Sequence, residues 1–339
     1  MGVGVRMPRV PAVYPRKRRW RLREQENPDA HLMYWGQGAD NNNYASAKEF
    51  PETVEEQLEQ SVHKGQALRL TESEARRKYG NRLVVASLGA QWKSGAKESG
   101  DLVVRLLFDG THGVPVNSSI RVRDQDKGPA APDVKRVLRQ LASQPGRKFG
   151  FKVDVKDAHR LIPISPEDWH LLACRSERSK HVYVNTTGTF GVASAAYWWS
   201  RVATATIRGA HYVLGHELSA WLLLVADDLA MLFHNGKMRE SVLLVLVYLR
   251  VMGFPLSWKK LAGGEVLQWV GYELLLSEAS LGLSSSRAQW LEGWYTRLLR
   301  DRSVQFQEGL GRAAFVCSAL DYDRPFLCLR RPTPRARDI

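Results

Sequence analysis

Two adjacent carboxylates, Asp227 and Asp228, interrupt an apolar run that reads Leu222-Leu-Leu-Val-Ala-Asp-Asp-Leu-Ala-Met-Leu-Phe233. Neighbouring like charges repel, and burying one unpaired charge costs several kcal/mol. A chain that sets both between two strand-like runs must offset that cost, and a divalent cation is the most direct partner. The pattern predicts a hairpin whose turn holds carboxylates over a metal site. An ordinary Asp-containing hairpin turn has the same local signature, so the pair needs context.

Context comes from upstream, in Phe149-Gly-Phe-Lys-Val-Asp154-Val-Lys-Asp157-Ala-His159. Phe149, Phe151, Val153 and Val155 alternate with period two, as in a half-buried strand. Asp154 falls where that strand leaves its sheet. If the two strands are neighbours, Asp154 and Asp227 converge on one pair of Mg²⁺ ions, with Mn²⁺ as an alternative. Ions about 3.5–4 Å apart clamp the attacking and leaving oxygens of an in-line phosphoryl displacement. Mg²⁺ needs only one or two carboxylates when substrate phosphates supply the rest.

Six blocks in fixed order extend the pattern. They are Val104-Arg105-Leu-Leu-Phe-Asp109 with Gly113-Val-Pro-Val-Asn117; Val153 to His159; Phe190-Gly191-Val-Ala-Ser194 to Arg201; Val225-Ala-Asp227-Asp228; Gly253-Phe-Pro-Leu-Ser-Trp-Lys-Lys260; and Gln268-Trp-Val-Gly271-Tyr. Together they resemble the reverse transcriptases of retrotransposons that integrate with a tyrosine recombinase (DIRS-like elements). The similarity covers residues 90 to 275 and continues weakly to Pro325-Phe-Leu327.

The resemblance implies an α+β right-hand polymerase fold with fingers, a ferredoxin-like palm sheet and a partial helical thumb. In those terms the chain divides into a basic, largely irregular extension (1–80), fingers (81–148 and 166–190), palm (149–165 and 191–276) and thumb with basic tail (277–339). The implied reaction is template-directed DNA synthesis from RNA or DNA, with a primer and dNTPs as partners. Asp154, Asp227 and Asp228 are the implied metal ligands, and Lys260 the acid that protonates pyrophosphate. Arg105, His159, Phe190 and Gly191 are the implied substrate contacts: triphosphate, ribose gate and base-pair pocket.

Three positions depart from the family. Val225 replaces an aromatic residue before the acidic pair, His159 replaces Tyr or Phe at the gate, and Ala196 stands where relatives often carry Pro. They leave two alternatives open: an inactive relic that binds nucleic acid, and a palm polymerase with relaxed sugar choice. Residue by residue, Arg105 can pair with Asp109, Asp157 can cap the following turn, and Lys259 can take the role of Lys260. His159 can be an ordinary half-buried histidine, and Trp198-Trp199 reads as packing.

Net charge is +14 over 339 residues, concentrated in Arg16-Lys-Arg-Arg-Trp-Arg21 and in Arg330, Arg331, Arg335 and Arg337. Such an excess suits a polyanionic partner. Three widely spaced cysteines, Cys174, Cys317 and Cys328, form neither a zinc pattern nor a disulfide framework. No run approaches the roughly 18 apolar residues of a membrane span. Val242–Leu249 reads as a buried helix. The expectation is an intracellular protein of cytoplasm or nucleus, not secreted; its oligomeric state is left open.

Overall fold

The computed structural model describes residues 39–92, 104–114, 116–120, 131–215, 220–234, 238–300 and 306–317. The terminal basic runs and the match at Pro325–Leu327 lie outside them. The chain divides into two compact units, Met1–Asp126 with Asp157–Ala203, and Lys127–Lys156 with Thr204–Ile339.

The chain visits them alternately. Strands β1 (Ala67–Leu70), β2 (Val85–Trp92) and β3 (Val104–Asp109) form in the first unit, β4 (Lys148–Asp154) in the second, then β5 (Ala173–Arg175) and β6 (Val182–Asn185) again in the first. β7 (Ala220–Val225), β8 (Asp228–His234), β9 (Ala262–Gly264), β10 (Val266–Trp269), β11 (Tyr272–Leu275) and β12 (Ser280–Leu283) follow in the second. The α-helices are α1 (Ala45–Lys48), α2 (Pro51–His63), α3 (Glu72–Tyr79), α4 (Val116–Ser119) and α5 (Ala131–Ser143). They continue with α6 (Ala193–Leu214), α7 (Met238–Val251), α8 (Ser285–Arg300) and α9 (Phe306–Cys317).

In the first unit the sheet order is β1-β6-β5-β2-β3. The β2–β5 pair is parallel and the other pairs are antiparallel. Strand β1 lies inside the stretch read as an irregular extension, and it pairs with β6 from Ala67↔Asn185 to Leu70↔Val182. Its partner is more than a hundred residues away, so no local pattern announces it. Val54 and Leu58 of α2 enter the core with Leu88, Phe108 and Tyr183. A capping box starts α3: Glu74 N donates to Thr71 Oγ1, and Thr71 N donates to Glu74 Oε2.

Two acids of this unit should make it sensitive to low pH. Burial opposes ionisation of Asp109, but hydrogen bonds from Tyr44, His112 and the Thr111 and His112 amides outweigh it and bring its pKa to about 2. Burial likewise opposes ionisation of Glu55, and donors on Ser176, Ser179 and Tyr183 hold it below the usual carboxylate value. Both carboxyls bind protons less readily folded than unfolded. Their contribution is therefore complete above an unfolded pKa of about 4 and is lost as pH falls toward the folded value. Urea midpoints measured from pH 5 to pH 2 should fall, and Asp109→Asn should flatten the decline. An unchanged slope in that variant would discard the assignment.

In the second unit the main sheet has order β7-β8-β4-β9, every neighbour antiparallel. Numbering its strands by chain order gives 2-3-1-4. With α6 and α7 as connections, this is a split βαββαβ, the ferredoxin-like topology. The chain between β4 and α6 detours through the first unit. Val134, Leu138 and Leu141 of α5 pack with Ala230, Leu232, Leu267, Trp269 and Leu274, joining the sheet to the β10-β11-β12 meander. Gly150 lies where a side chain would press Leu276, Leu267 and Leu232 at 3.0–3.3 Å.

Helix α7 corrects the reading of Val242–Leu249 as a buried helix. Ser241, Val245 and Leu249 face inward, whereas Leu243, Leu244 and Val247 are exposed. The sequence is apolar on both sides, so composition could not tell which side was covered. Among the described residues, no helix is long and apolar enough to cross a membrane.

Candidate active site

The residues singled out in the sequence fall into two groups, each assembled within one unit.

In the second unit, β4 ends on Asp154 and β8 begins on Asp228, and the two are register partners across the sheet. The ladder continues one step, with Val155 N donating to Asp227 O at 3.0 Å. Asp227 itself sits in the two-residue turn between Val225 and Asp228, which are paired. Its turn partner Ala226 has φ 53, a left-handed conformation that costs an L-residue about 1–2 kcal/mol. Backbone strain of this kind collects at functional turns. On the other side of Asp154, its carbonyl accepts from Ser257 N at 2.8 Å, and Lys260 N donates to Ser257 O at 3.0 Å. That turn brings Lys260 Nζ to 3.1 Å from Asp154 Oδ2. It is Lys260, not Lys259, whose ammonium reaches the acidic site among the described residues.

The electrostatics follow from this crowding. Asp154 is buried. Burial, then the negative charges of Asp227 and Asp154, raise the Asp228 pKa, while Lys260 and Lys152 pull the other way. The site thus carries more negative charge than its two lysines neutralise, which fits a hard divalent cation. Among the described residues no three His, Cys, Asp or Glu side chains already close on a common metal position. The donor set suits Mg²⁺ held by two carboxylates with phosphate oxygens completing the shell.

A cavity of about 490 Å³ adjoins this acidic edge, lined by Lys152, Asp228, Gln268, Trp269, Gly271 and Arg287, among others. Trp269 Nε1 donates to Asp228 O at 3.4 Å, tying the β10–β11 hairpin to β8. The hairpin tip, Val270-Gly271, has φ 48 and 80, the pair of positive angles that a type I′ turn needs. Arg287 crosses the tip at Gly271 and lies 4.5 Å from the Phe315 ring, which stacks on Tyr272. Neither Lys152 nor Arg287 forms an ion pair among the described residues. Sequence reading missed both. Lys152 had one available signal, its place two residues before Asp154 on the same strand face.

In the first unit, Arg105 on β3 sets its guanidinium carbon 5.4 Å from the Phe190 ring centroid, and His159 meets the same ring edge-on at 4.9 Å. Pairing of Arg105 with Asp109 is not what forms. Residues four apart on a strand are about 13 Å apart, and Asp109 is taken by Tyr44 and His112. Phe190 is 37% exposed, leaving an aromatic face open to a planar ligand. Gly191, at φ 94, lets the chain lie directly on Phe108 O, where a Cβ would come within 1.6 Å. Asn117 clamps this crossing. Its Nδ2 donates to Gly191 O and Thr111 Oγ1, its Oδ1 accepts from Ala193 N, and its own amide donates to Gly110 O.

Asp157 does not cap the turn that follows it. It occupies the N-cap place at φ 51, but its side chain makes no cap hydrogen bond and pairs with Lys64 at 3.7 Å. Trp199 is fully buried, so it serves packing. Cys174 is buried and unbridged, and burial pushes its thiol up to about 12, so it stays protonated.

No protein-family model matches this chain, and no curated protein matches its sequence. Solved structures do match its fold. A foamy viral protease–reverse transcriptase bound to double-stranded DNA aligns with TM-score 0.56 and 15% identity, covering 83% of this chain and 42% of that one. A foamy viral protease–reverse transcriptase in complex with an RNA/DNA hybrid aligns with TM-score 0.54 and 13% identity, covering 76% and 30%. The chain therefore has a reverse-transcriptase-like fold and spans less than half the length of these proteins.

Proposed function

We propose that this chain catalyses template-directed DNA synthesis as the reverse transcriptase part of a retroelement of the DIRS-like kind. One observation carries the reading. Asp154 ends β4, Asp228 begins β8 and Asp227 lies in the turn before it, all on one edge of a split βαββαβ sheet, with the Lys260 ammonium 3.1 Å from Asp154.

In this reading most of the palm falls in the second unit and most of the fingers in the first, which also holds palm residues 157–165 and 191–203. Asp154, Asp227 and Asp228 would hold Mg²⁺, and the bound ion would supply polarisation of the primer 3′-OH and neutralisation of phosphate charge. Arg105 takes the triphosphate, a role its planar fork suits better than an ammonium would. Phe190 and Gly191 shape the space for the new base pair, and His159 stands as the gate beside the sugar. The 3′-OH gives its proton to solvent as its oxygen forms a bond to the α-phosphorus and the bond to the bridging oxygen of pyrophosphate breaks. Lys260 gives its proton to that leaving oxygen. The hairpin tip at Val270-Gly271 and the cations Lys152 and Arg287 take the backbone of the primer strand.

Incubating the purified chain with a DNA primer on an RNA template, dNTPs and Mg²⁺ should extend the primer. Addition of dNTPs but not rNTPs would show that His159 still excludes the ribose 2′-OH. Binding of the duplex without extension would replace this reading with that of an inactive relic. Val225, partly buried against the apolar cluster under the hairpin instead of offering an aromatic ring, is the residue that favours such an outcome.

A further inference from the structure

Helix α7 presents an apolar stripe on the side that faces away from its sheet. Leu243 is 63% exposed, Val247 51% and Val251 78%, with Leu244 beside them. At 100° per residue these four project within one sector, opposite Ser241, Val245 and Leu249. Helix α6 meets α7 where Tyr248 Oη lies against Gly209. On α6, Tyr212 is 83% exposed and Val213 40%. Large exposed apolar patches on monomers mark interaction sites, and the four stripe residues share one face of a single helix.

The charges at the two ends of the stripe select its occupant. Glu240 stands at the start and Arg250 near the end, about 15 Å apart along the axis. Glu240 forms no ion pair among the described residues, and Arg250 spends one Nη on Phe254 O at 3.1 Å. A second copy of α7 laid antiparallel across a two-fold axis brings Glu240 beside Arg250 twice. It also sets Leu243 and Leu244 against Val247 of the other copy. Arg239, next to Glu240, then lies near the carbonyl end of the opposing helix, where a cation is favoured. A parallel pair would oppose Glu240 to Glu240 and Arg250 to Arg250. We propose that this face is a homodimer interface, built on the antiparallel pairing of α7 about a two-fold axis near Leu244 and Val247. Such a face is isologous, each copy offering the same patch.

Sedimentation velocity of the full chain across a concentration series tests this. The expected result is a monomer–dimer equilibrium. Val247→Asp should abolish the dimer while circular dichroism stays unchanged, with Leu243→Gln as the second variant should Val247→Asp fold poorly. Glu240→Arg alone should weaken dimerisation about tenfold, and Glu240→Arg with Arg250→Glu should restore it. A chain that stays monomeric at every concentration overturns the proposal. So does a dimer indifferent to Val247→Asp and Leu243→Gln, because it would be held elsewhere. The test does not depend on polymerase activity, so its failure leaves the catalytic reading standing.

Discussion

Asp227→Asn should abolish Mg²⁺-dependent primer extension while leaving a folded protein that is slightly harder to melt in the absence of divalent cations. The two effects have one cause. Burial first, then the charges of Asp227 and Asp154, raise the Asp228 pKa, so the acidic edge stores like-charge repulsion. Removing one charge relieves it, by about 1 kcal/mol at most for partly solvated groups. On the proposed reading the same substitution removes an anionic oxygen that would hold the cation. Losing several kcal/mol of transition-state stabilisation lowers the rate about 10³-fold or more, at 1.36 kcal/mol per tenfold. Asp154→Asn should act alike on activity, with a weaker gain in stability because it also breaks the 3.1 Å pair with Lys260. Thermal melts with and without Mg²⁺ give a second readout: the ion should raise the Tm of the parent chain and not of the variants. Full extension by Asp227→Asn would remove the acidic edge from the mechanism.

Gly191→Ala should be the most destabilising single-methyl addition in the first unit. The new Cβ would meet the Phe108 carbonyl oxygen at 1.6 Å, and the φ of 94 is one that L-residues rarely adopt. Neither atom belongs to a flexible side-chain end, so relief requires moving β3 or the start of α6. A loss of about 3–5 kcal/mol is expected, combining backbone strain with steric overlap. Asn117→Ala attacks the same crossing from outside. It leaves Gly191 O and the Ala193 amide without their side-chain partner and should cost about 1–3 kcal/mol. Urea unfolding of both variants checks the order. If Gly191→Ala melts like the parent, the close approach of the two segments is not as described.

Much of this was legible in the sequence, and the pattern of what was not is instructive. The alternation from Phe149 to Val155 places Asp154 at a strand end because period two is a local property. The hairpin around Asp227 is local too, and so is the helical run Val242–Leu249 that falls within α7. Pairings across long separations were not legible. Nothing near Ala67–Leu70 reveals that it joins β6. Nothing near Asn117 reveals that it bridges Gly110 and Gly191. Arg287 meets Gly271 through the packing of Phe315 on Tyr272, three segments that no single window contains. Asp157 misled for the opposite reason: Asp at a turn start is the usual capping signal, yet here the left-handed backbone turns its side chain toward Lys64.

The alternation of the chain between its two units also bears on how the protein comes off the ribosome. Strand β4 is synthesised early, but its sheet neighbours are β8 and β9, at Asp228–His234 and Ala262–Gly264. At roughly 5–20 residues per second the nascent chain carries β4 unpaired for several seconds. During that interval the first unit receives its last segment, up to Ala203. An unpaired apolar strand invites pairing with other chains, and charges along it discourage that. Lys148, Lys152 and Asp154 place charges along one face of β4, so Lys152 and Asp154, which sit at the finished acidic edge, also guard the strand while it waits.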